Sequence, residues 1–321
     1  MIRAWCYYLP LLCLLSSTSV QALGLLDAYD LALRNDPTFQ AAIKERDAGE
    51  ENRAIGRAGL LPNLSWSYNN SRNQSEVTQE TVRGDVTNDR DYRSYASTLT
   101  LQQPLLDYEA YARYRQGSAQ ALFSDERFRG KSQELAVRLL SAYSQALLAQ
   151  ERIELSRAQK RAYAERLQLN ERLLKGGEGT RTDVLETQAR LSLALAQEIE
   201  AQDQQDAALR ELQAIVGEPL QIDELDPLTR QFQIQPLLPN RFDSWRDLAM
   251  ANNPDLASQQ QALRVAEYEV ERKRAGHLPK VSLYASSRQT SSDSESSYNQ
   301  KYDTNTVGIQ VSLPLFAGGS V

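Results

Sequence analysis

Residue types able to do covalent, acid–base or zinc chemistry are scarce in this chain. Its 321 residues hold one histidine, His277, and two cysteines, Cys6 and Cys13. A Cys/His zinc site, or a Cys–His or Ser–His–Asp nucleophile system, has nowhere to form except around His277. That histidine lies in Ala275-Gly276-His277-Leu278-Pro279, a Gly- and Pro-punctuated turn with no Gly-x-Ser-x-Gly motif beside it. Gly176-Gly177-Glu178-Gly179 lacks the Lys-Ser/Thr that a phosphate-binding loop requires. The reading is therefore of a non-enzyme, with no catalytic residue, metal or cofactor. The 42 acidic residues interleave with 36 Lys and Arg as solvated helix faces. A net charge of -6 offers no basic surface for nucleic acid. Mean hydropathy of -0.54 argues against a bundle of membrane-spanning helices, yet is compatible with a β-barrel, whose signal per strand is weak.

What remains to explain is organisation. Residues 1–22 have one cation, Arg3, an apolar run from Ala4 to Leu15, and a small-residue end at Ala22, which read as a secretory signal peptide. Beyond it the chain repeats itself. Leu31-Ala32-Leu33-Arg34-Asn35-Asp36-Pro37 returns 217 residues later as Leu248-Ala249-Met250-Ala251-Asn252-Asn253-Pro254. At the same offset Arg57-Ala58-Gly59-Leu60-Leu61-Pro62-Asn63-Leu64-Ser65 matches Arg274-Ala275-Gly276-His277-Leu278-Pro279-Lys280-Val281-Ser282. The first repeat is placed at 23–242, with a helix, a β-hairpin at 62–104, a long helical hairpin at 105–217 and a linker at 218–242. The second is placed at 243–321, with a helix and a β-hairpin at 279–314.

Each copy carries the same signals. Asp36-Pro37 and Asn253-Pro254 are helix starts, a capping side chain followed by proline at the first helical position. After each helix the pattern changes to period 2, the mark of a half-buried strand. Leu64, Trp66, Leu99, Leu283, Ile309 and Val311 fall on one face, which is expected to meet lipid. Ser65, Thr100, Ser282 and Gln310 fall on the other, whose short uncharged side chains suit a water-filled lumen. The Ser/Asn/Asp-rich stretches Asn70 to Asp91 and Ser287 to Asp303 read as mobile outer loops. No proline occurs between Leu105 and Glu218. Leu135, Leu139, Ala142, Ala146, Ala149, Ile153, Tyr163, Leu167 and Leu174 make a 4-3 spaced stripe there, interrupted by Ser156, Lys160 and Asn170. Four strands with open edges cannot stand alone in a bilayer, because unpaired backbone groups in hydrocarbon are costly. Closure with other chains is required.

Signal peptide, duplication, the Asn-[Asp/Asn]-Pro helix start, the Gly-x-Leu-Pro strand entry and the turn from Lys175-Gly176 to Thr182-Asp183-Val184-Leu185-Glu186-Thr187-Gln188 together resemble the TolC family of outer-membrane channels. The resemblance spans residues 25–321 and is nearest the branch serving type I secretion of proteases and lipases. It implies an α+β membrane channel: a homotrimer in which each chain gives four strands to one barrel in outer-membrane lipid, with helices forming a periplasmic tunnel. It also implies an inner-membrane ABC transporter and a periplasmic adaptor (membrane fusion) protein as partners. They would dock at the tip formed by Gly176, Gly177, Glu178, Gly179 and Thr180, and Asp183 matches a family position that helps hold the tunnel shut. The helix pair that would follow Pro314 in the second copy is not in this sequence, so the chain reads as a fragment. Passive protein export is the leading reading. The alternatives are the outer-membrane component of a small-molecule efflux pump and, from another class, a periplasmic coiled-coil structural or adaptor protein without a pore.

Overall fold

The computed structural model describes residues 22–227, 235, 236, 238–294, 297–316, 318 and 319. The expected signal peptide, apart from Ala22, lies outside the described residues. Helix α1 (Leu25–Asn35) leads into α2 (Pro37–Ala58), strands β1 (Asn63–Thr81) and β2 (Gly84–Leu106), and helices α3 (Tyr108–Lys175) and α4 (Arg181–Val216). Then come α5 (Phe242–Asn252), α6 (Pro254–Arg274), β3 (Lys280–Ser294) and β4 (Ser297–Ser312). The duplication holds at the level of elements. The starts of α1 and α5, of α2 and α6, and of β1 and β3 are each 217 residues apart. His277 is exposed at the end of a 3-10 turn whose first residue, Ala275, is buried, and a turn is what its Gly/Pro setting predicts. Among the described residues no helix is long and apolar enough to cross a membrane.

Packing divides the chain differently from the repeats. One compact unit comprises Met1–Gln40 and Ser132–Leu237, the other Ala41–Lys131 and Leu238–Val321. The repeats are units of sequence, while both hairpins share one sheet. In the first unit the 4-3 stripe is the core from Leu135 to Ile153, while its outer members Tyr163, Leu167 and Leu174 are half-buried. Leu135, Leu139, Ala142, Ala146, Ala149 and Ile153 of α3 are buried, as are Ala194, Ala201, Ala208 and Leu212 of α4. Small residues on both helices allow the two backbones to approach closely. In the second unit α2 crosses the start of α3 at glycines. A Cβ on Gly117 would sit 2.2 Å from the Asn52 carbonyl oxygen and 3.3 Å from the Gly56 Cα. Any larger residue there must push the helices apart.

The sheet runs in the order β1-β2-β3-β4, antiparallel throughout. It corrects one expectation. The stretches read as mobile outer loops are strand: β1 and β2 stay paired out to Thr81 and Gly84, and β3 and β4 out to Ser294 and Ser297. Beyond Tyr68 both faces turn polar, so the apolar alternation that identifies a strand disappears. The backbone ladder does not need it. Cross-strand side chains support the extension: Ser71 and Ser94 hydroxyls lie 2.9 Å apart, Thr78 and Thr87 hydroxyls 3.0 Å apart, and Arg72 pairs with Asp91 at 2.9 Å.

Candidate functional site

Register decides which strand residues share a face. Trp66 stands opposite Leu99, Leu64 opposite Leu101, Leu283 opposite Ile309, and Val281 opposite Val311. Ser65 stands opposite Thr100, and Ser282 opposite Gln310. Directly opposed residues in an antiparallel pair point to the same side. Each of the two sets read from the sequence is thus collected on a single face, and the two faces are opposite. The apolar face is bare: Leu64, Trp66, Ile309 and Val311 are each about two-thirds exposed, at 65%, 67%, 66% and 66%. Trp66 stacks on Tyr68, which in turn stacks on Tyr95, and the indole N–H donates to the Ser97 hydroxyl at 3.1 Å. A contiguous apolar band edged with amphipathic rings fits a lipid boundary. Among the described residues β1 and β4 are the edge strands of the sheet.

The far end of the α3–α4 hairpin is built by two termination motifs in succession. The Glu178 N–H donates to the Leu173 carbonyl at 2.9 Å and the Gly177 N–H to Leu174 at 3.1 Å, the Schellman pattern. It requires a left-handed residue, and Gly177 supplies one at φ 82°. Helix α4 then opens with a capping box. The Asp183 N–H donates to the Thr180 hydroxyl at 3.1 Å, while the Asp183 carboxylate accepts the Thr180 N–H at 3.2 Å and its hydroxyl at 2.6 Å. Asp183 therefore has a partner within its own turn.

Two of the polar residues that interrupt the stripe cross-link the hairpin. Lys160 reaches the buried Glu198 carboxylate at 2.5 Å, and Arg157 stands 3.6 Å from the same group. The Asn170 side-chain amide donates to the Thr187 hydroxyl at 2.8 Å, which donates to the Asp183 carbonyl at 2.7 Å. The breaks in the heptad pattern were the signal for these pairs, but their partners on α4 carry no mark in the sequence. A third tether was not legible at all. Leu23 forms a parallel bridge with Leu225, and the Tyr143 hydroxyl shares its one proton between the carbonyls of Leu23 at 2.9 Å and Asp226 at 3.1 Å while accepting the Asp226 N–H at 3.0 Å. Burial is the main cause that raises the Tyr143 phenol above its ordinary pKa. Among the described residues no group of three or more His, Cys, Asp or Glu could hold a metal ion.

The pattern of the Outer membrane efflux protein family matches residues 28–218 and 245–321, and the chain belongs to that family. Over 93% of its length it is 63% identical to the alkaline protease secretion protein AprF of Pseudomonas aeruginosa, covering 62% of that protein. Over 96% of its length it is 53% identical to the proteases secretion protein PrtF of Dickeya chrysanthemi, covering 67% of that protein. The chain thus spans somewhat under two-thirds of AprF. The fold matches the crystal structure of the Campylobacter jejuni CmeC outer membrane channel at a TM-score of 0.74 and 18% identity, over 92% of this chain and 62% of that one.

Proposed function

We propose that this chain belongs to the outer-membrane channel of a type I secretion system. In this reading three copies close one barrel, and protein cargo of the protease or lipase kind passes through without chemistry by the channel itself. An inner-membrane ABC transporter supplies the energy, and a periplasmic adaptor joins it to the Gly176–Thr180 tip. The observation that carries the reading is the open four-stranded sheet with one bare apolar face, in a chain 63% identical to a protease secretion protein. Leu148, Leu155, Leu193 and Ile199 lie exposed on the helical hairpin and offer apolar surface for neighbouring helices. The family's description as efflux protein keeps small-molecule export as the second reading.

The test is export. Cells lacking their own protease secretion channel receive the full-length protein with the matching transporter and adaptor. Protease activity should appear in the medium; protease retained in cells whose outer membrane holds the protein would overturn the reading. The lipid and lumen faces are tested by single cysteines in the mature protein, which keeps neither Cys6 nor Cys13 if the signal peptide is removed. Ser282→Cys and Gln310→Cys should react with a water-soluble thiol reagent, Leu283→Cys and Ile309→Cys should not, and the reverse pattern would invert the faces. A gating role for Asp183 is separable from its capping role. Asp183→Ala should raise single-channel conductance of the intact trimer, whereas Thr180→Ala, which breaks the cap but keeps the carboxylate, should not. Equal conductance in both variants would leave Asp183 as a cap alone.

A further inference from the structure

The sheet sorts carboxylates as well as hydropathy. On the face that bears Trp66 and Leu99, the strands beyond the aromatic band carry Glu76, Glu80, Asp85, Asp89, Asp91 and Asp303 together with the cations Arg72, Arg93 and Lys301, as their register parity dictates. On the opposite face, among residues whose side chains are described, no strand position is a carboxylate. Its charges are Lys280, Arg288 and Arg90. Lys280 is neutralised where it stands, donating to the Glu109 carboxylate at 2.6 Å. Arg288 is not. It is exposed, sits between Thr98 of β2 and Thr304 of β4, and has no ion pair among the described residues. Its neighbours along the same face, Ser286 and Thr290, are uncharged.

We infer that Arg288 is a specificity residue of the lumen, biasing the barrel towards anions and towards acidic polypeptide cargo. The inference rests on the proposed reading of this face as the pore lining. A guanidinium keeps its charge at every physiological pH. Its neighbours on this face, Ala96, Thr98, Ser286, Thr290, Tyr302 and Thr304, carry no charge, so it is the fixed charge that an ion meets along this stretch of the wall. Fixed charge of one sign on a low-dielectric wall concentrates ions of the other sign. Arg90, the other arginine of this face, lies eight positions along β2 from Thr98, so Arg288 stands apart rather than in a cluster and attracts an acidic chain without trapping it, which suits conduction. The effect depends on salt. The screening length is about 30 Å at 0.01 M and about 3 Å at 1 M, so the bias should reach across a lumen only in dilute electrolyte.

The experiment uses the full-length protein in planar bilayers under a dilute potassium chloride gradient, with the reversal potential giving the chloride-to-potassium permeability ratio. The wild type should favour chloride, and Arg288→Ser should lower the ratio by about twofold. Arg288→Lys should retain it, and Arg72→Ser on the other face should leave it unchanged. Poly-L-glutamate should block the wild-type current more often than poly-L-lysine, and Arg288→Ser should narrow that difference. An unchanged ratio in a conducting Arg288→Ser channel would overturn the inference and leave the channel reading intact. A shift caused by Arg72→Ser instead would overturn the assignment of the faces. Failure of the wild type to conduct would overturn both.

Discussion

The two copies of the helix-start motif have nearly the same sequence and the same local geometry, yet different surroundings. In the first, the Asp36 carboxylate accepts the Phe39 N–H at 2.6 Å, capping α2. In the second, the Asn253 side chain accepts the N–H groups of Asp255 at 2.8 Å and Leu256 at 3.1 Å, capping α6. The difference lies outside the turn. Asp36 is 1% exposed and pairs with Arg138 of α3 at 2.9 Å, while Asn35 reaches the last carbonyl of α4, Val216, at 2.9 Å. Asn253 is exposed, and Asn252 turns back on the Leu248 carbonyl of its own helix. Helix α1 buries Ala28 and Ala32, whereas α5 buries none of its residues. A duplicated motif thus reproduces its hydrogen-bonded cap faithfully, because the cap closes within three residues. Its burial is not reproduced, because burial depends on which distant helices arrive.

The largest effect should come from removing the buried half of that contrast. Asp36→Ala deletes the cap and strands Arg138, and should cost about 3 kcal/mol. Asn253→Ala deletes a cap alone and should cost about 1 kcal/mol. Thermal unfolding of the detergent-solubilised protein reads both, and equal losses would break the comparison. Asp36→Asn makes the first copy resemble the second, keeping a cap but losing the charge. It should fall between those values, whereas Asn253→Asp, which has no Arg138 to meet, should be within about 0.5 kcal/mol of neutral. A clear gain from Asn253→Asp would show an unrecognised cation beside the second motif.

A smaller contrast concerns the preceding asparagine. Asn35→Ala removes a bond to another helix and should cost about 1 kcal/mol; Asn252→Ala removes only a bond within its own helix and should change little. Similar shifts for the two would mean that the Asn35–Val216 contact contributes nothing specific. The smallest expected effect is one of pH. Around the second copy, Glu109 is held below its ordinary pKa of 4.5 chiefly by Lys280, and Glu269 below the same value chiefly by Arg272. The folded protein releases these protons where the unfolded chain still holds them. Their contribution is complete above pH 4.5 and is lost as pH falls through the lower folded values. Lys280→Met should therefore lower stability at pH 7 to 8, where the contribution is complete, and leave it nearly unchanged at the acid end, so that the acid limb flattens; an unchanged profile would count against the pairing.

The sequence by itself determined whatever is local or periodic. The proline-led helix starts, the helices up to Ala58 and Lys175, the Gly177 turn and the period-2 core of each hairpin could all be read, because each arises from neighbouring residues. The two strand faces could also be read, since alternation from Leu64 to Trp66 or Ile309 to Val311 needs no partner to be recognised. The tertiary structure alone decided which opposed residues meet. Ser71 with Ser94 and Thr78 with Thr87 extend the first hairpin through a stretch too polar to announce a strand. Lys160 with Glu198, Asn170 with Thr187 and Asp36 with Arg138 join residues 38, 17 and 102 positions apart. No spacing rule encodes such pairs, because their separation is set by loop lengths and by the registry of long helices rather than by any repeat along the chain.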